Sequence, residues 1–528
     1  MSSRRIATGA SRALEGIGHL LVAVAMTAPL AWHPTRLPLG TEPVATVPRF
    51  NLWTLSWTAD RLPEGFAGWW DAPIFWPQRG ALAFSEPQPL TGLAFALVRP
   101  IVGAPGAYAS VLILTVALNG VAGAALARRL GADRAPAFLA GVLAQALPFT
   151  LEQLGVLQLV AVWPMLAATA ALLAWAEEPR VRHAVAFGLA VAAGVGTCGY
   201  YAVLYAGCAA LAILVLVERS WRGTWRVRLG GGAMAAAVVV ALTAPVALGQ
   251  QQRLDGHRWS DATIRAGSAT WGDWAPGGLR WPGWPLVVLA LAGAALARRR
   301  RSTRVLAVVL GVGMLASLGT NLEVFGVRPW AVLVDHVDAV ARLRSPYRAA
   351  VLAELALVGL AATALQWLWI RRARVGRVGA LAAVALCVAV ASPGAGRLVA
   401  PAPEPGGWAT WLADHDDGAP VAFLPFAPGR RAADFEDTTV RMLQALPTGH
   451  PMINGYSGFF PADHGELRRQ LRSFPDARSL AALRDRQVRY VVVASSSYDA
   501  FDRRVAGELG FTEVLHDDDA HLLVVPGS

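Results

Sequence analysis

The sequence predicts a mainly α-helical polytopic membrane bundle of about eleven spans, N-terminus inside and C-terminus outside, followed by a small extracytoplasmic α/β domain. Three observations carry this expectation. Apolar residues make up 55% of the 528-residue chain against 16% charged, and the mean hydropathy of +0.42 lies outside the usual soluble range. Ala/Val/Leu/Gly runs of spanning length recur up to about residue 395 and then stop. The 47 basic residues are all arginine, and they segregate: 35 against 18 acids through residue 397 (+17), then 12 against 18 acids after it (−6). Basic charge belongs to the membrane part, which argues against a nucleic-acid partner.

At the N-terminus, Arg4, Arg5 and Arg12 precede an apolar run that ends in TAPLAWHP without a good small-residue cleavage site, which predicts a retained signal-anchor helix over 14–32. Further spans are predicted near 107–127, 135–150, 157–176, 183–199, 201–217, 230–248, 282–297, 304–319, 348–370 and 378–394. With the N-terminus inside, the cytoplasmic turns receive Arg128, Arg129 and Arg134, then Arg180 and Arg182, then Arg219, Arg222, Arg226 and Arg228, then Arg298 to Arg301 with Arg304, and last Arg371, Arg372, Arg374 and Arg377. The long connections 33–106, 249–281 and 320–347, which hold most of the acids, then fall on the opposite face, as the positive-inside rule requires. LTGLAFALVRPIVG (90–103) is short for a span and suits a re-entrant or interfacial helix.

A Pro/Gly linker, PAPEPGG (401–407), separates a membrane domain over 1–400 from a domain over 401–528. In the latter, PVAFLPF (420–426), RYVVVAS (489–495) and HLLVVP (521–526) read as buried strands, and 437–446, 464–473, 478–486 and 500–509 as helices. HPMINGYSGFFP (450–461) reads as a shaped, exposed loop. Cys198, Cys208 and Cys387 all lie in apolar runs and read as packing residues.

Chemistry-bearing residues concentrate in the first external loop, which carries Glu42, Asp60, Glu64, Asp71 and Glu86 among Trp53, Trp57, Trp69, Trp70 and Trp76. The tryptophans read either as an interfacial belt or as ring faces for a carbohydrate. Asp60 beside Arg61 reads as a local ion pair, and Asp71 and Glu86 sit in turn-like contexts. In ARLRSPYRAAVLAEL, Arg344 and Arg348 stand one helical turn apart, fit either to grip a phosphate or to pair with Asp335 or Asp338. Glu354 falls two turns into an apolar run on the face of Tyr347, with Arg344 or Arg348 as partners. Tyr200 and Tyr201 line the same cavity or anchor the interface.

FNLWTLSW (50–57), WWDAPIFWP (69–77), ALAFSEPQPL (81–90), ARLRSPYRAAVL (341–352) and INGYSGFFP (453–461), on a polytopic core, resemble the GT-C superfamily of membrane glycosyltransferases, in particular its bacterial YfhO-like branch. The resemblance implies a sugar donor on a polyprenyl phosphate, a cell-envelope glycan, lipid or protein as acceptor, a bacterial inner-membrane location, and a first-loop acid acting as base. In that branch an Asp stands six residues before the Trp matched by Trp53; this chain has Val47 there, and Glu42 is the nearest acid. The catalytic candidates are therefore Glu42, Asp71 and Glu86. Substrate contacts are expected from Asn51, Trp53, Trp57, Asp60, Trp70, Tyr201, Arg344, Tyr347, Arg348, Glu354, Asn454 and Tyr456.

No HExxH or paired-histidine spacing and no DxD-like doublet in the first loop predicts a metal, and no cofactor is expected, although lone acids acting with phosphate could hold a divalent cation. No P-loop or Rossmann glycine pattern points to a nucleotide. A non-catalytic relative that assembles envelope or binds lipid is the alternative reading. A transporter is the third, with Glu152, Gln153, Gln158 and Glu354 as thin intramembrane polar content.

Overall fold

The computed structural model describes residues 2–217, 223–371, 373–391, 396–415 and 417–527, and two compact units divide the chain discontinuously. Arg219, Arg222 and Arg372, assigned above to cytoplasmic turns, lie outside the described residues. One unit comprises 1–32, 110–251 and 255–396; the other comprises 33–109, 252–254 and 397–528. The residue-400 boundary read from the linker thus differs from the structural grouping, in which the first loop shares a unit with the C-terminal residues.

Among the described residues, seven helices are long and apolar enough to cross a membrane: Pro89–Arg129, Arg134–Glu152, Leu157–Glu177, Gly199–Leu216, Trp225–Arg253, Pro346–Ile370 and Arg374–Ala391. The four other expected spans fall on shorter or more polar helices, Ser2–Met26, Val181–Thr197, Trp284–Leu296 and Arg301–Ser317. The 90–103 segment is the start of the Pro89–Arg129 helix, which breaks at Gly103, where φ is 73° and ψ 172°.

The helical unit is built around Ala350–Ile370, apolar on all sides and buried over most of its length. It packs against Trp284–Leu296, Arg301–Ser317, Arg134–Gln145 and Ala373–Ala391. Small residues permit this approach: a Cβ on Gly293 would collide with the carbonyl of Leu360, and one on Gly313 would lie 2.5 Å from the amide nitrogen of Ala353. Buried His19 and Gln145 tie the first helix to Arg134–Gln145, with Nδ1 to Oε1 at 2.9 Å and Gln145 Nε2 donating to the His19 carbonyl at 2.7 Å.

In the other unit, β1 (Leu37–Pro38) from the first loop pairs antiparallel with β2 (Leu398–Val399). A four-stranded sheet follows in the order β3 (Val421–Leu424), β4 (Tyr490–Ala494), β6 (Ala520–Val524), β5 (Thr512–His516). β3 and β4 are parallel, and β6 is antiparallel to both its neighbours. The expected strands are β3, β4 and β6. β5 escaped the sequence reading because it is a largely exposed edge strand with no apolar alternation. The expected helices appear as Glu436–Ala445, His464–Gln470, Ala477–Asp485 and Ala500–Glu508.

The first loop is held to these elements by its backbone. Phe75 N–H donates to the Asn454 carbonyl, Trp76 N–H to Met452 and Met452 N–H to Pro73, at 3.0 to 3.1 Å, and Phe459 N–H donates to Phe84 at 2.8 Å. Arg49 joins Glu436 at 3.1 Å and donates to the carbonyls of Pro401 and Ala400. The buried Asn454 side chain closes the join. Its Oδ1 accepts from Phe423 N–H and its Nδ2 donates to Phe423 C=O, both at 2.7 Å.

Near it, His464 is buried among Phe75, Phe426, Phe435 and Phe460, the last at 4.8 Å between ring centroids. Burial lowers its pKa to about 4, with Arg468 and Arg430 adding to the shift and Asp463 opposing it.

Two outcomes follow. Asn454→Ala leaves the Phe423 N–H and C=O unpaired in a buried site and is expected to cost about 2–4 kcal/mol, read as a lowered melting temperature of the purified protein. Because the unfolded imidazole takes up its proton near pH 6.5 and the folded one only near 4, stability should fall as pH drops through that window, by up to about 3 kcal/mol. Thermal unfolding of His464→Phe between pH 7 and 4.5 should show a visibly flatter profile.

Candidate functional site

Two groups of polar side chains stand out, one in each unit. In the unit that holds the first loop, a cavity of about 1220 Å³ is lined by Trp57, Asp60, Arg61, Asp71, Trp76 and Arg99, among others. The Thr46–Arg61 helix places Trp57 and Asp60 three residues apart on one face. Trp57 is fixed by its Nε1–H, which donates to the Trp69 carbonyl at 2.8 Å, while Trp69 Nε1–H donates to Thr58 Oγ1 at 3.1 Å.

The acids of this loop differ in what they have left to offer. Asp60 meets Arg99 at 2.6 Å, and Glu64 meets Arg61 at 2.6 Å, so the pairing expected of Asp60 with its neighbour goes instead to an arginine from the apolar 90–103 stretch. Asp71 accepts from Gly80 N–H through Oδ1 at 2.8 Å, in a turn that Gly80 makes at φ 73°. Its Oδ2 has no protein partner among the described residues. Asp71 is exposed and lines the cavity.

Glu42 and Glu86 are half-buried, and neither lines this cavity. The Glu42 carbonyl accepts from Arg397 Nη2 at 3.0 Å. Several expected substrate contacts are interior. Trp53 is 1% exposed and stacks on Phe50, and Asn51 is buried with its Oδ1 accepting from Gln88 Nε2 at 2.8 Å. Tyr456 packs between Phe50 and Phe435, and Asn454 is committed to Phe423. Trp70 lies under the Arg253 guanidinium at 5.1 Å.

In the helical unit, the 341–349 segment is pinned by three bonds. Trp259 N–H donates to Ala341, Tyr347 N–H to Gly267, and Ser345 N–H to the phenolic oxygen of buried Tyr200 at 2.9 Å. Arg344 then lies over Trp259 at 5.5 Å and Arg348 over Tyr200 at 4.8 Å. Among the described residues no ion pair joins either arginine to Asp335, Asp338 or Glu354. Glu354, 2% exposed, instead accepts from Phe149 N–H at 3.2 Å, at the start of the Pro148–Glu152 helix. Tyr201 donates its hydroxyl to the Leu159 carbonyl at 2.9 Å.

Arg280 completes this group. Its guanidinium lies 4.9 Å from the Tyr347 ring centre, 5.4 Å from that of Phe149, and 3.4 Å from a Glu152 carboxylate oxygen. Sequence reasoning missed Arg280, although a lone arginine in the aromatic stretch GLRWPGW was its signal. It missed Arg99 too, whose signal was a charge inside an apolar run.

With this geometry in view, similarity to solved structures covers nearly the whole chain. The arabinofuranosyltransferase AftD from mycobacteria, in a cryo-EM structure of the R1389S mutant, matches 98% of this chain at TM-score 0.63 and 18% identity; the match covers 41% of AftD. ArnT from Cupriavidus metallidurans matches at TM-score 0.51 and 16% identity, with 98% of both chains covered, in its apo state and bound to undecaprenyl phosphate. The chain shares its fold with AftD and ArnT. No protein-family profile and no curated protein sequence matches it.

On β5–β6 of this chain, Glu513, His516 and His521 bring possible metal-ligand atoms within 4.8 Å of one another. They also satisfy one another directly, His521 Nδ1 lying 3.2 Å from Glu513 Oε2 and the two imidazoles stacking at 4.1 Å.

Glu354 separates two roles experimentally. Glu354→Gln keeps an acceptor for Phe149 N–H and should leave the melting temperature nearly unchanged, whereas Glu354→Leu leaves that donor unpaired and should cost about 1–3 kcal/mol. Thermal unfolding of the two purified variants checks this.

Proposed function

We propose that this chain transfers a sugar from a polyprenyl-phosphate-linked donor to a cell-envelope glycan, lipid or protein on the outer side of a bacterial inner membrane. The observation that carries the reading is Asp71: among the three candidate bases it alone lines the large cavity, beside Trp57 and Trp76, with one carboxylate oxygen unpartnered among the described residues. The acceptor hydroxyl oxygen attacks the anomeric carbon, and the bond from that carbon to the donor phosphate oxygen breaks. The electron pair leaves on the polyprenyl phosphate, and the acceptor proton passes to Asp71.

In the helical unit, taken by itself, Arg344 and Arg348 form a group suited to binding a phosphate. Both are held over tryptophan or tyrosine rings, and neither is spent on an ion pair among the described residues. Support for the lipid carrier comes from the fold, because ArnT, which shares it, binds undecaprenyl phosphate. Val47, at the position where an acid is expected, favours a second reading, a non-catalytic envelope-assembly or lipid-binding protein that keeps the fold.

The test is release of label from undecaprenyl phosphate carrying radiolabelled pentose or hexose, in vesicles containing the purified protein and envelope extract. Asp71→Asn, which can still accept from Gly80 N–H, should lower transfer at least about 100-fold without a change in melting temperature, whereas Glu42→Gln and Glu86→Gln should stay near wild type. No donor consumption by the wild-type protein would select the non-catalytic reading.

A further inference from the structure

A second cavity, of about 430 Å³, opens beside the first. Trp76, Pro77, Gln78 and Arg79 line both, so this four-residue segment is a wall that the two cavities share. The volume lies within the roughly 300–1,000 Å³ typical of small-ligand pockets.

The second cavity sets polar groups among the apolar Phe75, Ile453, Pro461 and Leu467. Arg486, whose side chain is 11% exposed, joins Asp463 Oδ2 through Nη2 at 2.6 Å, and its backbone carbonyl accepts from Trp76 Nε1–H at 3.2 Å. That bond holds one edge of an indole that is otherwise 36% exposed. Asp463 Oδ1 has no protein partner among the described residues. His464 is 8% exposed and lines the same cavity, and its Nε2 is buried without a partner. Gln78 spends its Nε2 on the Arg79 carbonyl at 2.7 Å.

The chemistry of this lining selects among ligands. Two guanidiniums, Arg79 and Arg486, stand against one carboxylate, Asp463, which Arg486 already pairs, and these polar groups disfavour a purely apolar acyl chain. Paired donors and acceptors beside an exposed indole suit a polyol: hydroxyls take the planar carboxylate and guanidinium, and a sugar's C–H face lies on the ring. A single sugar fills one cavity, whereas a chain of several crosses the Trp76–Arg79 wall and fills both.

We propose that the cavity lined by Trp76, Asp463, His464 and Arg486 is a glycan subsite, and that the acceptor is therefore an oligosaccharide engaged in both cavities that share the Trp76–Arg79 segment. This rests on the transferase reading for the word acceptor, but the subsite itself does not.

The experiment is saturation-transfer NMR and calorimetry on the purified full chain in nanodiscs, titrated with glucose, mannose, galactose and arabinose and with their tri- and hexasaccharides. In at least one series, affinity should rise tenfold or more from monosaccharide to trisaccharide. Asp463→Asn and Trp76→Ala should each remove most of that gain, and Trp76→Phe should restore part of it at an unchanged melting temperature. Equal affinity at all lengths, no binding in any series, or variants that bind like wild type would overturn the subsite. Donor consumption with no length dependence overturns this inference and leaves the transferase standing. Length-dependent binding lost in Asp463→Asn, without donor consumption, does the reverse.

Discussion

The backbone pairing between the first loop and the C-terminal residues is the constraint on which one whole unit depends. Residues 73–76 and 452–454 exchange main-chain bonds, and Asn454 clamps the second of these segments to β3 through both polar groups of Phe423. Main-chain bonds of this kind fix direction and register irrespective of side-chain chemistry. They determine where Asp71, Trp76 and Arg79 stand, and hence that both cavities have a common wall. Buried polar groups such as Asn454 are costly when unpaired, so the clamp defines one arrangement of the loop.

Satisfaction of charge separates the acids within that loop. Asp60 and Glu64 are neutralised by Arg99 and Arg61, and their remaining value to a ligand is small. Asp71 is oriented by a single backbone donor that occupies one oxygen and leaves the other open. A general base needs this combination of fixed direction and free lone pairs. The helical unit follows a related logic. Glu354 is consumed in capping Phe149, whereas Arg344 and Arg348 rest on aromatic faces that hold a guanidinium in place without spending its charge.

Much of the fold was legible from the sequence because membrane helices obey a strong rule: every apolar run of spanning length must satisfy its backbone internally. Each expected span is helical, and three of four sheet strands were visible as buried apolar runs. The edge strand β5 was not, since an exposed strand carries no apolar pattern to read. Among site residues, composition drew attention to the first loop and to 341–354. It could not tell interior tryptophans from lining ones: Trp53 is core while Trp57 and Trp76 line cavities, and all three are the same residue in similar aromatic surroundings.

The sequence by itself determined the helical, membrane-spanning character of the chain, the α/β nature of its C-terminal residues and the short list of acids and arginines, because hydrophobicity, periodicity and charge are local properties. Only the tertiary structure decided which of those groups are used up. Arg99 reaches Asp60 from 39 residues away, Arg280 reaches Glu152 from 128, and Asn454 reaches Phe423 from 31. Partners so distant in sequence leave no local pattern, and the free oxygen of Asp71 is recognised only once the other acids are seen to be taken.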